Sequence, residues 1–295
     1  MKVSIIGQGD NLLPVASAIC QLGLATEVML MDGDERVSFA VIQDFRAAAA
    51  SVGSDTKILT ASTHAALVGS EIVILLPSLS RLGWTNAQRS ANAALVRHFA
   101  QGINQHAPAA KIVVAIPPAV AMAYVMYREI GAEPSQVIGV CGKIVDANLN
   151  GRIADKLGVS VRDITALAIG DDHTVIPLTQ YCCVNGIPVD QLLNTGQIRE
   201  VTEVVNDGRN QAPVIHPYNL SSWLAKLVTA IAVDKKRILT VSSLIKVGAS
   251  EVYLNVPTKI GRRGAEETVQ LNLTESQRER FAKLVARSIS EQQRF

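Results

Sequence analysis

Residues 2–12 read KVSIIGQGDNL, a short apolar run that leads directly into a turn with two glycines. The apolar run predicts a buried strand, and Gly7 and Gly9 predict a tight turn into a helix. The next predicted strand, 27–31, is followed at once by Asp32. In this layout the amides at a helix N-terminus hold a pyrophosphate, and the acidic side chain binds the ribose hydroxyls of adenosine. The predicted dinucleotide contacts are Gly7, Gly9, Asp10, Asn11 and Asp32.

The third glycine position of this turn departs from the usual pattern. Leu12 stands where that glycine would let the helix pack closely on the strand, so it predicts a shifted helix or a wider turn. The alternative interpretation is an ordinary tight turn before a core helix. A carboxylate at position 32 favours NAD over NADP, because the additional phosphate of NADP would meet a like charge. NAD is therefore the predicted cofactor.

The rest of the first half alternates β-branched runs with helical stretches, which is typical of parallel strands joined by crossover helices. Besides the two strands above, strands are predicted at 72–76, 111–115 and 137–140, and helices at 13–22, 37–50, 85–106 and 120–130. The strand runs are continuously apolar, as in a sheet covered on both faces. We predict an α/β fold in which residues 1–142 form a Rossmann-type parallel sheet that binds the dinucleotide.

The rhythm changes after about residue 142. The second half predicts helices at 145–157, 196–210 and 220–233, strands at 164–168, 237–245, 251–260 and 268–271, and a hairpin at 181–189. The hairpin turn is Asn185-Gly186, a pair suited to positive φ at both central positions. Thr274 and Gln277 form a capping box that opens a last helix. Residues 143–295 are therefore predicted to form an α+β substrate and catalytic domain.

Composition excludes several classes of protein. The chain has 295 residues, 48% hydrophobic, and a formal net charge of +2 with interspersed signs. This argues against general disorder and against nucleic acid as a partner. No apolar run approaches the roughly 20 residues of a membrane helix. The four cysteines show no CxxC or metal-ligand spacing, so we expect a cytoplasmic protein without a metal site.

Motifs along nearly the whole chain resemble the malate/lactate dehydrogenase family. They are the first nine residues, the strand that ends at Asp32, VIG at 137–139, ADKLGVS at 154–160, GIP at 186–188, DKKRIL at 234–239, VY at 252–253 and VPTKIG at 256–261. The resemblance implies an NAD-dependent oxidoreductase with a small-molecule substrate, assembled as a homodimer or homotetramer. Members of the family reduce 2-keto acids with a histidine proton donor, an aspartate that orients it, and three arginines that bind the substrate.

The resemblance places substrate-binding residues at positions where several arginines are missing. Asp146 matches the orienting aspartate, but Leu149 stands where an arginine would bind the substrate carboxylate. In the segment PSLSRLGWTN at 77–86, Arg81 matches the first arginine of the family's mobile loop and Asn86 takes the place of the second. Arg89, one helical turn later, is either a replacement or a surface residue.

The position of the proton donor stays open. The family's histidine turn matches GDDHTVIP at 170–177 with one residue missing, so the donor is either His173 or has become Asp172. In the first case His173 would pair with Asp146; the alternative is a solvated turn histidine. His216 falls where the family has a small hydroxyl residue beside the substrate, and it is otherwise a residue at a helix start.

Ile116 takes the place of the family's asparagine near the nicotinamide ribose, so it joins the predicted cofactor contacts. Loss of a buried arginine–carboxylate pair costs roughly 3–5 kcal/mol of transition-state binding. Ordinary malate or lactate turnover is therefore not expected. Two hypotheses follow: an oxidoreductase that acts on a different carbonyl, imine or alcohol, or a non-catalytic scaffold or cofactor-sensing protein.

Overall fold

A computed structural model describes residues 1–7, 9–32, 39–76, 85–140, 145–206 and 217–295. Its first half comprises β1 (Lys2–Gly7), α1 (Gly9–Gln21), β2 (Glu27–Asp32), α2 (Phe39–Ser51), β3 (Lys57–Thr60), β4 (Ile72–Leu75), α3 (Asn86–His106), β5 (Lys111–Val114), α4 (Ala119–Ile130) and β6 (Val137–Gly139).

The second half contains helices and shorter strands in mixed order. They are α5 (Val145–Leu157), β7 (Ile164–Thr165), β8 (Ala168–Gly170), β9 (Val175–Pro177), β10 (Cys183–Val184), β11 (Ile187–Pro188), α6 (Val189–Leu192), α7 (Thr195–Asn206), α8 (Pro217–Ala232), β12 (Arg237–Val247), β13 (Ser250–Gly261), β14 (Gly264–Thr268) and α9 (Glu275–Gln292).

The large sheet runs through both halves. Among the residues that the structure describes, its order is β3-β2-β1-β4-β5-β6-β12-β13-β8-β9, and β14 pairs with β13. The strands from β3 to β6 are mutually parallel, whereas β12 joins β6 in the antiparallel sense. A parallel sheet of this order, with helices between its strands, is the predicted Rossmann-type arrangement. The α/β fold class is therefore confirmed.

Local sequence signals predicted many elements but not all of them. Asn185 and Gly186 have φ values of 48° and 85°, as the hairpin turn requires, and Thr274 caps α9 through the predicted capping box with Gln277. The predicted strand 164–168 is instead split between β7 in a small sheet and β8 in the large one. The strand expected at 268–271 lies earlier, as β14, and β3 was not predicted.

Two apolar clusters cover the two faces of the large sheet, and each contains residues of both halves. Val137 packs in the same cluster as Tyr253, and its neighbour Ile138 packs with Leu239 on the opposite face. A third cluster lies within the second half around α5. The predicted boundary between residues 142 and 143 falls in 141–144, outside the described residues, so the two-domain division stays a prediction.

A glycine makes the junction between the parallel and antiparallel strands. Gly139 is paired with Ser242, and a Cβ at position 139 would lie 2.6 Å from the Ser242 Cβ. That distance is shorter than any real carbon contact, so the backbones of β6 and β12 approach this closely only because position 139 lacks a side chain. In the described ranges no helix is both long and apolar enough to cross a membrane.

Gly7 offers a test of close packing inside the sheet. A Cβ at Gly7 would lie 2.7 Å from the Leu76 Cβ, whereas a Cβ at Gly151 in α5 would meet nothing within 4 Å. We expect Gly7→Ala to lower the free energy of unfolding by about 1–3 kcal/mol, because the end of β4 must move away. Gly151→Ala adds the same methyl group and should raise it by about 0.5–1 kcal/mol. Urea denaturation measures both, and a Gly7→Ala variant as stable as wild type would contradict the prediction.

Candidate active site

The strand order reverses between β1 and β4, and α1 begins beside that point. From β1 the chain proceeds outward to β2 and β3, and then returns to β4 on the other side of β1. Gly7 and Asp32 are paired at the ends of β1 and β2. Ligands of open α/β sheets bind at such a switch, outside the carboxyl ends of the strands. Gly9 and Asp10 begin α1 directly at this edge.

The start of α1 fits the phosphates of a dinucleotide. The first N–H groups of a helix have no acceptor within the helix, and they favour an anion. Position 8, between β1 and α1, lies outside the described residues, so the shifted helix or wider turn expected from Leu12 stays a prediction. Leu12 is fully buried in the cluster that also holds Val3 and Ile5. The side chains of Asp10 and Asp32 lie outside the described part of the structure.

Gly7 and Asn11, two of the predicted cofactor contacts, also have packing roles. The missing side chain of Gly7 lets Leu76 approach the end of β1, and Asn11 is fully buried in the first turn of α1. Ile116, the other predicted cofactor contact, is 1% exposed and belongs to a core cluster. Ile116 is therefore positioned as a core residue in this structure.

An asparagine reaches the segment after β5 from a different helix. Asn92 of α3 is 1% exposed, and its Nδ2 donates a hydrogen bond of 2.6 Å to the carbonyl oxygen of Pro117. The sequence reasoning missed this residue, because Asn92 lies inside a long helix and contacts Pro117 only through the fold. Asn92 thus holds the backbone immediately before α4.

Asp172, one candidate proton donor, caps the N-terminus of α4. Its two carboxylate oxygens accept hydrogen bonds from the backbone N–H groups of Ala119 at 3.0 Å and Val120 at 2.9 Å. Pro117 and Pro118 have no N–H group, so these are the first donors of the helix. Burial raises the pKa of Asp172, and the hydrogen bond from Val120 opposes that rise. Asp172 is therefore committed to holding the turn after β8 against α4.

His173 is placed against the C-terminal helix. Its Nε2 lies 3.5 Å from Oε1 of Glu291, and the same Glu291 oxygen is 2.7 Å from Nη1 of Arg89. The hydrogen bond with Glu291 raises the pKa of His173 despite its partial burial. Burial alone would raise the pKa of Glu291, but His173 and the guanidinium charges lower it. Arg89 is 19% exposed, so it is a half-buried partner of Glu291 and not a surface residue.

The expected pair of His173 with Asp146 is not what the structure shows. Oδ1 of Asp146 accepts a hydrogen bond of 3.1 Å from the N–H of Ala168, the first residue of β8. His173 lies in the turn beyond Gly170, at the other end of that strand. Two residues of strand span about 6–7 Å, and the turn adds to that distance. Asp146 is thus at one end of the β8–β9 hairpin, and His173 is at the other.

The remaining residues predicted to contact the substrate lie in different environments or outside the described residues. Leu149 is fully buried among the apolar residues of α5 and its neighbours, including Ile153 and Ile164, so its observed role is packing. Asn86 is exposed at the first position of α3, after the capping residue Thr85. Arg81 and His216 lie in 77–84 and 207–216, outside the described residues.

The C-terminal helix contributes residues that the sequence reasoning did not single out. Arg287 and Glu291 are four positions apart, so they project from one face of α9 toward the turn after β8. Gln292 is 2% exposed and bonds both backbone groups of Tyr253, accepting from its N–H at 3.0 Å and donating to its carbonyl at 2.8 Å. The spacing of the apolar residues Leu284, Val285 and Ile289 on this capped helix was the signal in the sequence for its docking.

The geometry at the β1–α1 edge defines a Rossmann-type protein that binds a dinucleotide. Residues 1–139 match the family model described as lactate/malate dehydrogenase, NAD binding domain. The malate dehydrogenase of Nitratiruptor sp. is 31% identical over 96% of this chain and 92% of its own length. That of Xanthobacter autotrophicus is also 31% identical, over 97% of this chain and 93% of its own.

Solved structures of malate dehydrogenases are also similar to this chain. The malate dehydrogenase from Aeropyrum pernix superposes with a TM-score of 0.87 at 28% identity, covering 98% of this chain and 96% of that one. The enzyme from Salinibacter ruber gives 0.88 at 26% identity, with the same coverage of both chains. This chain belongs to the malate/lactate dehydrogenase family. The predictions of the family, of an NAD-dependent oxidoreductase and of NAD as cofactor are confirmed.

Asp146 provides a prediction on pH-dependent stability. Burial is the main cause that raises its pKa from 3.8 to about 6, while the hydroxyl of Thr240 and the N–H of Ala168 lower it in part. Because the pKa of Asp146 is raised in the folded state, its contribution to the free energy of unfolding is fully present below about pH 4. This contribution is lost as the pH rises to 6. Asp146→Asn, which stays neutral, should therefore gain about 1–3 kcal/mol over wild type between pH 4 and pH 7.

The measurement is chemical denaturation of both proteins across this pH range. Asp155→Asn serves as the matched control, because Asp155 lies on the same helix and is exposed. The control should stay within about 0.5 kcal/mol of wild type, as is usual for an exposed substitution. If Asp146→Asn gains no free energy of unfolding over wild type as the pH rises from about 4 to 7, the raised pKa of Asp146 is contradicted.

Proposed function

We propose that this family member transfers hydride between NAD(H) and a carbonyl, imine or alcohol other than malate or lactate. The observation that carries the proposal is Leu149. It stands where the family resemblance puts the arginine that binds a substrate carboxylate, and it is fully buried in an apolar cluster. A leucine in such a cluster supplies no charge and no hydrogen bond to an anion. The lost interaction disfavours 2-keto acids relative to substrates without that carboxylate.

The first half of the chain would hold NAD at the switch in strand order. The amides of Gly9, Asp10 and Asn11 would face the pyrophosphate, and Asp32 would bind the adenosine ribose. Gly7 would allow the cofactor to approach the end of β1 closely. Ile116 would support the nicotinamide end of the cofactor from the core. When bound, NAD supplies or accepts the hydride. The chain's own residues position the substrate and move the proton.

Proton transfer is assigned to His173, with Glu291 as the carboxylate that orients it in place of Asp146. A histidine beside a carboxylate that is itself held by a guanidinium keeps a defined orientation. The ion pair between Arg89 and Glu291 supports this assignment, since it fixes the carboxylate that faces the imidazole. Arg81, which lies outside the described residues, and Asn86, at the start of α3, are proposed to contact the substrate. His216 remains a second candidate for the acid–base group, and Asp146 a supporting residue of the catalytic half.

A non-catalytic, cofactor-sensing scaffold is the second candidate function. The capping role of Asp172 favours it, because a carboxylate bonded to two backbone N–H groups holds structure and is poorly placed to donate a proton. The two candidates differ in one observable respect. The oxidoreductase consumes NADH with some carbonyl or imine, whereas the scaffold binds NADH without turnover.

An assembly of identical subunits in the cytoplasm completes the proposal. Phe39 at the start of α2 is 78% exposed and Tyr218 in α8 is 80% exposed, and both helices adjoin α1. Exposed aromatic side chains of this kind supply apolar area to an interface between subunits. Cys20, Cys182 and Cys183 are free thiols, which fits a reducing compartment.

The substrate proposal predicts a specific pattern of binding and turnover. NADH should bind the purified protein in a fluorescence titration, and reduction should occur with uncharged carbonyl compounds. The rate constant kcat/KM for oxaloacetate and pyruvate should lie about 10²- to 10³-fold below that for the best uncharged carbonyl compound, as expected from a missing charge pair. Matched probes are pyruvate and its methyl ester, which differ in one charge. Efficient oxaloacetate reduction would overturn the altered substrate, and NADH binding without any turnover would favour the scaffold.

The acid–base assignment predicts the effect of one histidine substitution. His173→Asn should slow hydride transfer in single-turnover measurements by about 10²- to 10⁴-fold, because general acid–base catalysis is lost. The Kd for NADH should not change, since His173 lies outside the first half. His98→Asn, at an exposed position of α3, is the control and should keep full activity. If His216→Asn instead removes activity while His173→Asn retains it, the roles of the two histidines are reversed.

A further inference from the structure

We propose that Asp171 is a positioning residue for His173, and that it acts by anchoring the turn after β8 to the C-terminal helix through Arg287 and Ser288. The inference rests on the proposed acid–base role of His173 and deepens it. The bond that joins Asp171 to His173 involves the backbone N–H of His173, so Asp171 is not itself assigned a catalytic role. Its effect would pass through the turn that carries His173.

The carboxylate of Asp171 is buried and fully engaged. It is 4% exposed, and its Oδ1 accepts hydrogen bonds from the backbone N–H groups of His173 at 2.8 Å and Thr174 at 2.7 Å. Its Oδ2 accepts from the hydroxyl of Ser288 at 3.0 Å and from the guanidinium of Arg287. A carboxylate buried to this extent is stable only with such a full set of donors.

The two oxygens of Asp171 therefore have separate roles. Oδ1 shapes the turn, because it holds the main-chain nitrogen of His173 itself. Oδ2 ties that turn to α9, where Arg287 also donates from Nη1 to the hydroxyl of Thr174 at 2.9 Å. A shift of the turn away from α9 would break both links at once.

Glu291 shows why this anchor matters for His173. Glu291 follows Arg287 by one helical turn on α9, and its Oε1 lies at 3.5 Å from Nε2 of His173. That distance is at the limit of a direct contact, so a small displacement of the turn would separate the imidazole from its carboxylate. The links from Arg287 and Ser288 to Asp171 lie beside this contact and set its length.

A second carboxylate holds the opposite side of the turn. Asp172 bonds the N-terminus of α4, while Asp171 bonds α9, so the turn is fixed between two helices. The charged groups that face His173 are Asp171 and Asp172 on its own turn and Glu291 on α9, and Glu291 in turn faces Arg287 on α9 and Arg89 on α3. Glu291, Asp172 and Asp171 all raise the pKa of His173.

Arg287→Met distinguishes anchoring from a simple charge effect, because the two change the pKa of His173 in opposite directions. Removal of a nearby cation would raise the pKa of His173 if Arg287 acted only through its charge. Loss of the anchor would lower that pKa, because His173 would move away from Glu291. We therefore expect the pKa of His173 to fall in Arg287→Met, because its charged partner Glu291 would be farther away. The pKa is read from the NMR titration of histidine ¹³C signals, with His173→Asn to assign the peak.

Ser288→Ala gives a second, charge-neutral variant, which keeps the test valid if Arg287→Met does not fold. It should also lower the pKa of His173, since it removes one of the two donors from α9. Arg278→Met is the matched control: Arg278 lies on the same helix, is 64% exposed and pairs only with Glu275 among the described residues. It should leave the titration of His173 unchanged. An increase in Arg287→Met, or an unchanged value in Ser288→Ala, would overturn the inference.

The NMR titration needs neither NAD nor a substrate, so it separates this inference from the proposed function. If the pKa of His173 falls in both variants while His173→Asn retains hydride transfer, the anchor exists but the acid–base assignment fails. In the opposite case His173 is required for hydride transfer although the titration does not respond, and Asp171 has no positioning role. In an active enzyme, Ser288→Ala should lower kcat and leave the KM for NADH unchanged.

Discussion

Two adjacent buried carboxylates, Asp171 and Asp172, impose the constraint on which the second half of this structure depends. Each needs hydrogen-bond donors that its own turn cannot fully supply. Asp172 finds them at the N-terminus of α4, in the parallel-sheet half, and Asp171 finds them on α9, near the end of the chain. Neighbouring side chains that bond in opposite directions hold the two helices at a set separation. The close contact of Gly139 with Ser242 aligns the strands of the two halves independently.

In this chain, Asp146 and His173 have partners other than those that the family resemblance implies. The resemblance suggested a histidine paired with Asp146 and an arginine near position 149. Instead, Asp146 bonds Ala168, Leu149 is a core residue, and the carboxylate beside His173 is Glu291. The polar residues around His173 thus come from α3, the turn after β8 and α9. This family member thus has the NAD-binding half of its relatives, together with a different set of ionic partners around His173 and Asp146.

The sequence predicted the features that depend on local chemistry. Apolar runs located the strands of the parallel sheet, and the Asn185-Gly186 pair and the Thr274 capping box located a turn and a helix start. β3 escaped prediction because it is an edge strand with one buried residue, Ile58, and so lacks the continuous apolar run of β4. Asn92 and Glu291 escaped because their contacts join residues far apart in the chain, Asn92 to Pro117 and Glu291 to Arg89. No pattern of nearby residues encodes such pairings, and a single sequence holds no other record of them.

The docking of Gln292 has a practical consequence for the handling of this protein. Helix ends fray, and Glu291 lies in the last turn of α9, where fraying is greatest. Gln292 opposes it, because its amide completes the backbone hydrogen bonds of Tyr253 in the manner of an additional sheet partner. A truncation within α9, or an insertion directly after it, would act on this same turn. Material for enzymology is therefore better prepared with the last turn of α9 unmodified.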